Sequence, residues 1–132
     1  MGQYFMLINE DRKEFVCPHC AGGLAKLFEW CANPQAGLLP YLLRRSTQTG
    51  GGDIQDVSSE FAGRWAGQRV CLVGDYDASG LYKKAQEEFT NITPGLCREY
   101  NQFMDSPELR LSDALCSTCG QRAREPEQGE RG

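Results

Sequence analysis

Two Cys-x-x-Cys pairs with the spacing of metal ligands lie near opposite ends of the chain. The first pair is Cys17 and Cys20, and the second is Cys116 and Cys119. Two such pairs can supply four thiolates to one tetrahedral ion, and Zn²⁺ is the usual occupant. Four protein ligands leave no position for water or substrate. The pattern therefore predicts a structural zinc that joins the two ends of the fold; a redox dithiol, an iron site and two unrelated thiol pairs are the alternatives.

We predict no catalytic role for the remaining three cysteines or for the single histidine. The chain has seven cysteines, an odd number, and its start lacks the layout of an export signal. We therefore expect Cys31, Cys71 and Cys97 to be buried free thiols among apolar neighbours. His19 lies inside the first pair, where we predict a solvated residue; its alternative role is to replace a cysteine as ligand.

A pair of aspartates follows a short apolar run and is the second arrangement with possible chemistry. Asp75 and Asp77 come directly after Arg69–Val73, which the pattern predicts to be a buried strand. Carboxylates at this spacing beyond a strand end can share a Mg²⁺ ion. The string 70–80 resembles the Asp-x-Asp segment of Toprim domains, found in topoisomerases, primases and some nucleases. That resemblance implies a Mg²⁺-dependent enzyme acting on phosphate esters through these two aspartates.

The Toprim pattern also needs a catalytic glutamate at the end of an earlier strand of a parallel sheet. Glu29 and Glu60 are the candidates, but neither lies in the expected Gly-rich context. The alternative is a polar turn in which Asp77 or Ser79 caps the following helix. We favour this alternative, so no catalytic residue is assigned.

Arg64, Trp65 and Arg69 form a cationic and aromatic group just before the same strand. Such a group can stack on a base or bind a phosphate, which makes a small-ligand or nucleotide site one hypothesis. The structural alternative, which we favour, places Trp65 in the core and pairs the arginines with Asp75 or Asp77.

Composition limits the classes of partner. The chain has 132 residues with 40% hydrophobic and 24% charged residues, which are values of a globular protein. A net charge of −4 does not favour a broad nucleic-acid surface, which needs clustered Lys and Arg. No apolar run reaches the ~20 residues of a membrane helix. We expect a cytoplasmic protein with no membrane contact, and a protein partner is one hypothesis.

The hydrophobic pattern predicts an α+β fold with a small, mostly antiparallel sheet and two to four helices. Residues 1–120 are predicted to form one domain stapled by zinc, and residues 121–132 a disordered tail. A glycine-rich stretch, 46–53, is predicted to be a mobile loop. The predicted strands are 3–8, 13–16, 69–73 and 109–115, and the predicted helices begin near Leu24, Leu38, Leu81 and Thr93, the last with Thr93 as its N-cap.

Several stretches resemble a group of small uncharacterised proteins encoded by bacteria and their phages. The likeness lies in the opening Met1–Tyr4, in 23–30, and in the block 63–77, which runs Gly-Arg-Trp through Val-Gly-Asp-Tyr. The resemblance implies a shared fold and a bacterial or phage context, and it brings no catalytic residues with it. It also argues against a Toprim enzyme, because the likeness includes an amino-terminal half that Toprim domains lack. The leading hypothesis is a binding or interaction protein in which zinc is structural.

Overall fold

The computed structural model describes residues 3–45, 59–104, 106–117 and 119. These residues form a four-stranded mixed sheet and four α-helices, with two short 3-10 helices, which confirms the predicted α+β class. The predicted loop 46–53 and tail 121–132 lie outside the described residues. The elements are β1 (Phe5–Asn9), β2 (Glu14–Val16), α1 (Leu27–Ala32), a 3-10 helix (Pro34–Gly37), α2 (Leu38–Leu43), β3 (Val70–Gly74), α3 (Leu81–Glu88), β4 (Thr90–Asn91), α4 (Thr93–Phe103) and a 3-10 helix (Pro107–Leu109).

The strands lie in the order β3-β1-β2-β4. Strand β1 pairs antiparallel with both β2 and β3, so that Leu7 lies opposite Val16 on one side and Leu72 on the other. Strand β4 pairs with β2 in parallel. Two of the three pairings are antiparallel, as expected, and β3 and β4 are the edges of the sheet within the described residues.

Alternation along β1 divides the core into two layers, one on each face of the sheet. Met6 and Ile8 face a layer that contains α3 and all four cysteines of the two pairs. Leu7 faces the other layer, which contains Trp65 and residues of α1, α2 and α4. Because successive side chains of a strand point to opposite faces, this five-residue strand is buried on both sides.

Prolines mark several of the helix boundaries. Pro34 follows the end of α1, where a proline disfavours continuation of the helix, and Pro40 is tolerated within the first turn of α2. Pro94 lies in the first turn of α4, as predicted, but the N-cap of that helix is Ile92. The prediction of Thr93 as N-cap is therefore wrong by one residue. Its side chain is buried and makes contacts described below.

Two further predictions about strands need correction. Residues 109–115 form no strand, because the Asn101 side chain takes both backbone groups of Leu111: its Oδ1 accepts from the N–H at 2.9 Å, and its Nδ2 donates to the C=O at 2.8 Å. Strand β3, predicted to be buried, is an edge strand. In it Val73 is buried, Leu72 is half-buried and Cys71 is exposed.

Candidate metal centre

Four cysteine sulfurs from the two ends of the chain lie together. The Sγ atoms of Cys17, Cys20, Cys116 and Cys119 are all within 4.8 Å of one another, and those of Cys17 and Cys116 are 3.9 Å apart. A tetrahedral zinc with Zn–S bonds of about 2.3 Å requires sulfurs about 3.8 Å apart. The donor set and its dimensions therefore fit one tetrahedral metal ion with four thiolate ligands.

Strand β2 and the turn after it position the first pair. Cys17 follows directly on β2, and the turn closes through N–H···O bonds from Ala21 to Cys17 at 3.3 Å and from Gly23 to Pro18 at 2.9 Å. Gly22 has φ +80°, a left-handed conformation that glycine adopts without strain. The turn brings Cys20 back beside Cys17, and its side chain is fully buried.

The second pair approaches along a segment held to the first turn. The backbone N–H of Ser112 donates to the C=O of Ala21 at 3.2 Å. Further along, the N–H of Cys116 donates to the Sγ of Cys20 at 3.3 Å, and the N–H of Cys119 donates to the Sγ of Cys116 at 3.4 Å. Backbone donors aimed at sulfur stabilise the thiolate form, as expected for a metal knuckle.

Asn91 and Thr93 support the cluster and were missed as site residues. Asn91 Nδ2 donates to the Sγ of Cys20 at 3.5 Å, and its Oδ1 accepts from the N–H of Thr93 at 3.0 Å. The Thr93 hydroxyl in turn accepts the N–H of Cys17 at 2.7 Å. Strand β4 and the start of α4 thus hold the first cysteine pair in place. Nothing in the local sequence marks Asn91 for this role, because its contact depends on the pairing of β4 with β2.

The pKa values of the Cys17 and Cys20 thiols are shifted in opposite directions. Hydrogen bonds from the thiols of Cys119 and Cys17 hold the pKa of Cys20 below its usual range, although burial opposes its ionisation. The pKa of Cys17 is raised, because its thiol donates to Cys119 and Cys20 and is itself buried. Four thiolates at these distances repel one another and need a cation between them.

The remaining cysteines differ from the prediction in two of three cases. Cys97 is buried within the core, as expected, and burial raises its pKa to about 12. Cys31 and Cys71 are exposed, because one lies on the outer side of α1 and the other on an edge strand. His19 is exposed at the tip of the first turn, with its ring edge-on to Tyr4.

The two aspartates after β3 serve the backbone of their own turn and of β1. Asp75 accepts the N–H of Tyr4 at 3.1 Å, and Asp77 accepts the N–H of Ser79 at 3.1 Å. Ser79 Oγ then accepts the N–H of Leu81, the first residue of α3, at 3.1 Å. The aspartates thus lie in a polar turn, as the alternative hypothesis describes, but the N-cap of α3 is Gly80, and Ser79 accepts the first N–H of the helix from the position before the cap.

Within the part of the chain that the structure describes, the neighbourhood of these aspartates lacks the remaining Toprim features. Strand β3 is antiparallel to β1, its only partner among the described strands. Glu29 lies in α1, where its side chain accepts the N–H of Lys26, and Glu60 lies in the bend before Phe61. Neither glutamate ends a strand beside Asp75.

The cationic and aromatic group is folded onto the sheet by acidic residues that the sequence did not single out. Trp65 is fully buried, and its Nε1 donates to Glu14 at 2.8 Å. Arg64 also binds Glu14, at 2.6 Å from Nη2, and Arg69 binds Asp11 at 2.9 Å. The core position of Trp65 agrees with the structural alternative, but the partners of the arginines are Glu14 and Asp11 rather than Asp75 and Asp77.

A broad groove of about 1400 Å³ opens beside β4 and α4. Phe61, Phe89 and Pro94 give it apolar surface, and Arg64 and Arg98 contribute cationic groups at its wall. Acidic side chains also line it, among them Glu60 and Asp113. The groove can hold a partner with both apolar and charged groups.

None of the family models, curated proteins and solved structures compared with this chain matches it. No helix in the described ranges is long and apolar enough to cross a membrane.

Proposed function

We propose that Cys17, Cys20, Cys116 and Cys119 bind one Zn²⁺ ion with a purely structural role, and that the protein is a binding or interaction protein. The closeness of the four sulfurs carries the first part of this proposal. Three of the four cysteines are buried and the donors are all thiols, which is the donor set of closed structural zinc sites. Bound zinc would neutralise the thiolates and hold the segment before Cys119 against β2.

Metal content tests this proposal directly. Protein purified without added metal should contain one zinc per chain by elemental analysis, and Co²⁺ exchange should give the absorption of a tetrahedral thiolate site. Cys119→Ser should lose most of this metal, whereas Cys31→Ser, at an exposed cysteine outside the cluster, should keep it. Iron in place of zinc, or metal-free protein with an intact fold, would contradict the proposal.

The groove supports the second part, a role in binding. It is large enough for a drug-sized ligand or a peptide segment, and its lining combines apolar surface from Phe61 and Phe89 with five carboxylates and two arginines, of which Arg98 is exposed. The groove also changes which residues the small-ligand hypothesis can involve. Trp65 and Arg69 are outside the groove lining, whereas Arg64 contributes to it.

An amphipathic anionic probe tests whether the groove binds. Anilinonaphthalene sulfonate should bind the folded, zinc-loaded protein saturably, and Arg98→Ala should weaken its affinity about threefold, as expected for one exposed charge. Arg110→Ala is the matched control, because Arg110 is also exposed and does not line the groove. Equal effects of the two substitutions, or no saturable binding, would count against the groove as a binding site.

A further inference from the structure

The groove beside β4 and α4 has an acidic lining that the chain balances only in part. Five carboxylates and two arginines line it. Glu14 is buried and paired with Arg64 at 2.6 Å, so these two charges cancel. Glu99 accepts hydrogen bonds from the N–H of Glu60 at 2.8 Å and from Ser59 Oγ at 2.5 Å. These neutral donors satisfy the carboxylate but do not cancel its charge.

The other three acidic side chains of the lining are exposed. Within the part of the chain that the structure describes, the carboxylates of Glu60 and Asp113 have no hydrogen bond or salt bridge, and Glu87 approaches Lys83 only to 4.0 Å. Arg98, the second arginine, is also exposed and forms no salt bridge with a described residue. The unbalanced charge of the groove is therefore mainly negative.

Apolar side chains line the same groove and are incompletely covered. Leu115 is 44% exposed, and Phe89 and Pro94 are half-buried. Phe61 packs closely on α4 at Gly95, where a Cβ would lie 3.2 Å from the phenyl ring. Pockets for small ligands usually enclose about 300–1000 Å³, so a groove of about 1400 Å³ has room for a segment of a polypeptide chain.

One wall of the groove depends on the cysteine cluster. Asp113, Leu115 and Cys119 belong to the carboxy-terminal segment and line the groove from that side. Asn101 holds the start of this segment through both backbone groups of Leu111, and the cluster holds its end. Bound zinc would therefore keep an exposed carboxylate and an exposed apolar side chain in fixed positions on this wall.

We propose that the groove binds a basic, amphipathic segment of another protein; this rests on the zinc site and on the binding role proposed above for the groove. Lysine or arginine side chains of the segment pair with Glu60, Glu87 and Asp113, and its apolar side chains cover Phe89 and Leu115. Exposed ion pairs contribute little each. The apolar contacts therefore supply most of the affinity, and the charges exclude acidic partners.

Two other occupants match the groove less well. A second copy of this chain carries a net charge of −4, so the acidic groove repels it. Residues 121–132 of the same chain contain three arginines, but three glutamates balance them. A basic segment of a different protein complements the groove in both charge and apolar surface.

Fluorescence anisotropy of two labelled peptides tests the charge of the occupant. One peptide contains lysine and leucine, and the other has glutamate in place of each lysine. At low ionic strength the lysine peptide should bind the zinc-loaded full chain saturably and at least about tenfold more tightly than the glutamate peptide, because several weak ion pairs add. The preference should shrink in high salt, which screens exposed charges.

Carboxylate substitutions test whether the peptide lies in the groove. Glu60→Gln combined with Asp113→Asn should weaken binding of the lysine peptide about fivefold, as expected for two exposed ion pairs. Asp77→Asn combined with Glu108→Gln is the matched control, because it makes the same change in net charge at exposed residues outside the groove lining. This control should weaken binding less than about twofold. Equal effects of the two double substitutions would show a general attraction to an acidic protein and would overturn the proposal.

The three probes separate a wrong occupant from a groove that does not bind. If anilinonaphthalene sulfonate binds saturably but the lysine peptide does not, or if the glutamate peptide binds more tightly, the groove is a binding site and the basic occupant is wrong. If no probe binds, both proposals are wrong. If the lysine peptide binds only after Arg122, Arg124 and Arg131 are replaced by glutamine, the chain's own residues occupy the groove, which also overturns the proposal.

Discussion

Two buried polar clusters lie on opposite faces of the sheet and differ in how their negative charge is balanced. On one face, the Glu14 carboxylate receives N–H groups from Arg64 and Trp65, so the protein supplies its own cation. On the other face, four thiols lie together, and backbone and amide N–H groups donate to their sulfurs. The first cluster is complete without a ligand. The second has the donor set and spacing to hold a metal ion, and this difference separates a self-contained contact from a candidate binding site.

Metal removal should have the largest effect, because it leaves the thiol cluster without its cation and releases the second cysteine pair. We expect a chelator to lower the free energy of unfolding by about 3–5 kcal/mol, or the melting temperature by about 10–15 °C. Thermal unfolding with and without chelator measures this. The Cys116→Ser variant should lose a similar amount and respond little to further chelation.

Substitutions at the two exposed cysteines provide the control for this experiment. Cys31→Ser and Cys71→Ser should change stability by no more than about 0.5 kcal/mol and should keep the full response to chelator. If chelator shifts the melting temperature of the wild-type protein by less than about 2 °C, the thiol cluster does not need a metal and the contrast with Glu14 disappears.

The differences between the two clusters explain how far the sequence could predict them. Each cysteine pair is a local motif, and the two motifs match in ligand type, so their meeting could be predicted without knowledge of the fold. Glu14 carries no such signal, because its partner Arg64 is 50 positions away and any arginine could have served. The sequence placed Trp65 in the core but could not assign its hydrogen bond.

Strand positions show the same limit. The hydrophobic pattern predicted β1 and β2, and a short apolar run predicted β3, but neither signal shows which strand lies at an edge. Cys71 was therefore expected to be buried and is exposed. Residues 109–115 have a strand-like composition, yet the Asn101 side chain binds Leu111 in place of a neighbouring strand. Both outcomes depend on tertiary neighbours that local patterns do not encode.

Removal of the Glu14 charge should have an intermediate effect. Glu14→Gln leaves the partly buried Arg64 without its counter-ion. We expect the free energy of unfolding to fall by about 2 kcal/mol at pH 7, which is less than the cost of breaking a fully buried ion pair. Chemical denaturation of the zinc-loaded protein measures it. Glu87→Gln is the matched control, since the Lys83–Glu87 pair is exposed on α3 and should contribute less than about 0.5 kcal/mol.

The pH dependence of this loss distinguishes an ionic role of Glu14 from a packing role. Burial opposes ionisation of Glu14, but hydrogen bonds from Arg64 and Trp65 outweigh it and lower the pKa of its carboxyl from the usual 4.5. A lowered pKa in the folded state contributes stability above about pH 4.5, which is lost as the pH falls through the folded value. The difference between wild-type protein and Glu14→Gln should therefore be constant near neutrality and shrink in acid. A difference independent of pH would show that shape alone matters.

The smallest effect should come from the exposed polar turn after β3, which resembles neither buried cluster. Ser79→Ala removes the acceptor for the Leu81 N–H at the start of α3 and should cost about 0.5–1 kcal/mol, the usual value of a helix cap. Asp75→Asn combined with Asp77→Asn should leave metal content unchanged, and Mg²⁺ should not alter the fluorescence of Tyr76, which lies between the two aspartates. A saturable Mg²⁺ response that this double substitution removes would show a second cation site. It would also support the hypothesis of a Mg²⁺-dependent enzyme. The aspartates would then resemble the thiol cluster rather than Glu14, because a bound ion and not a side chain would balance their negative charge.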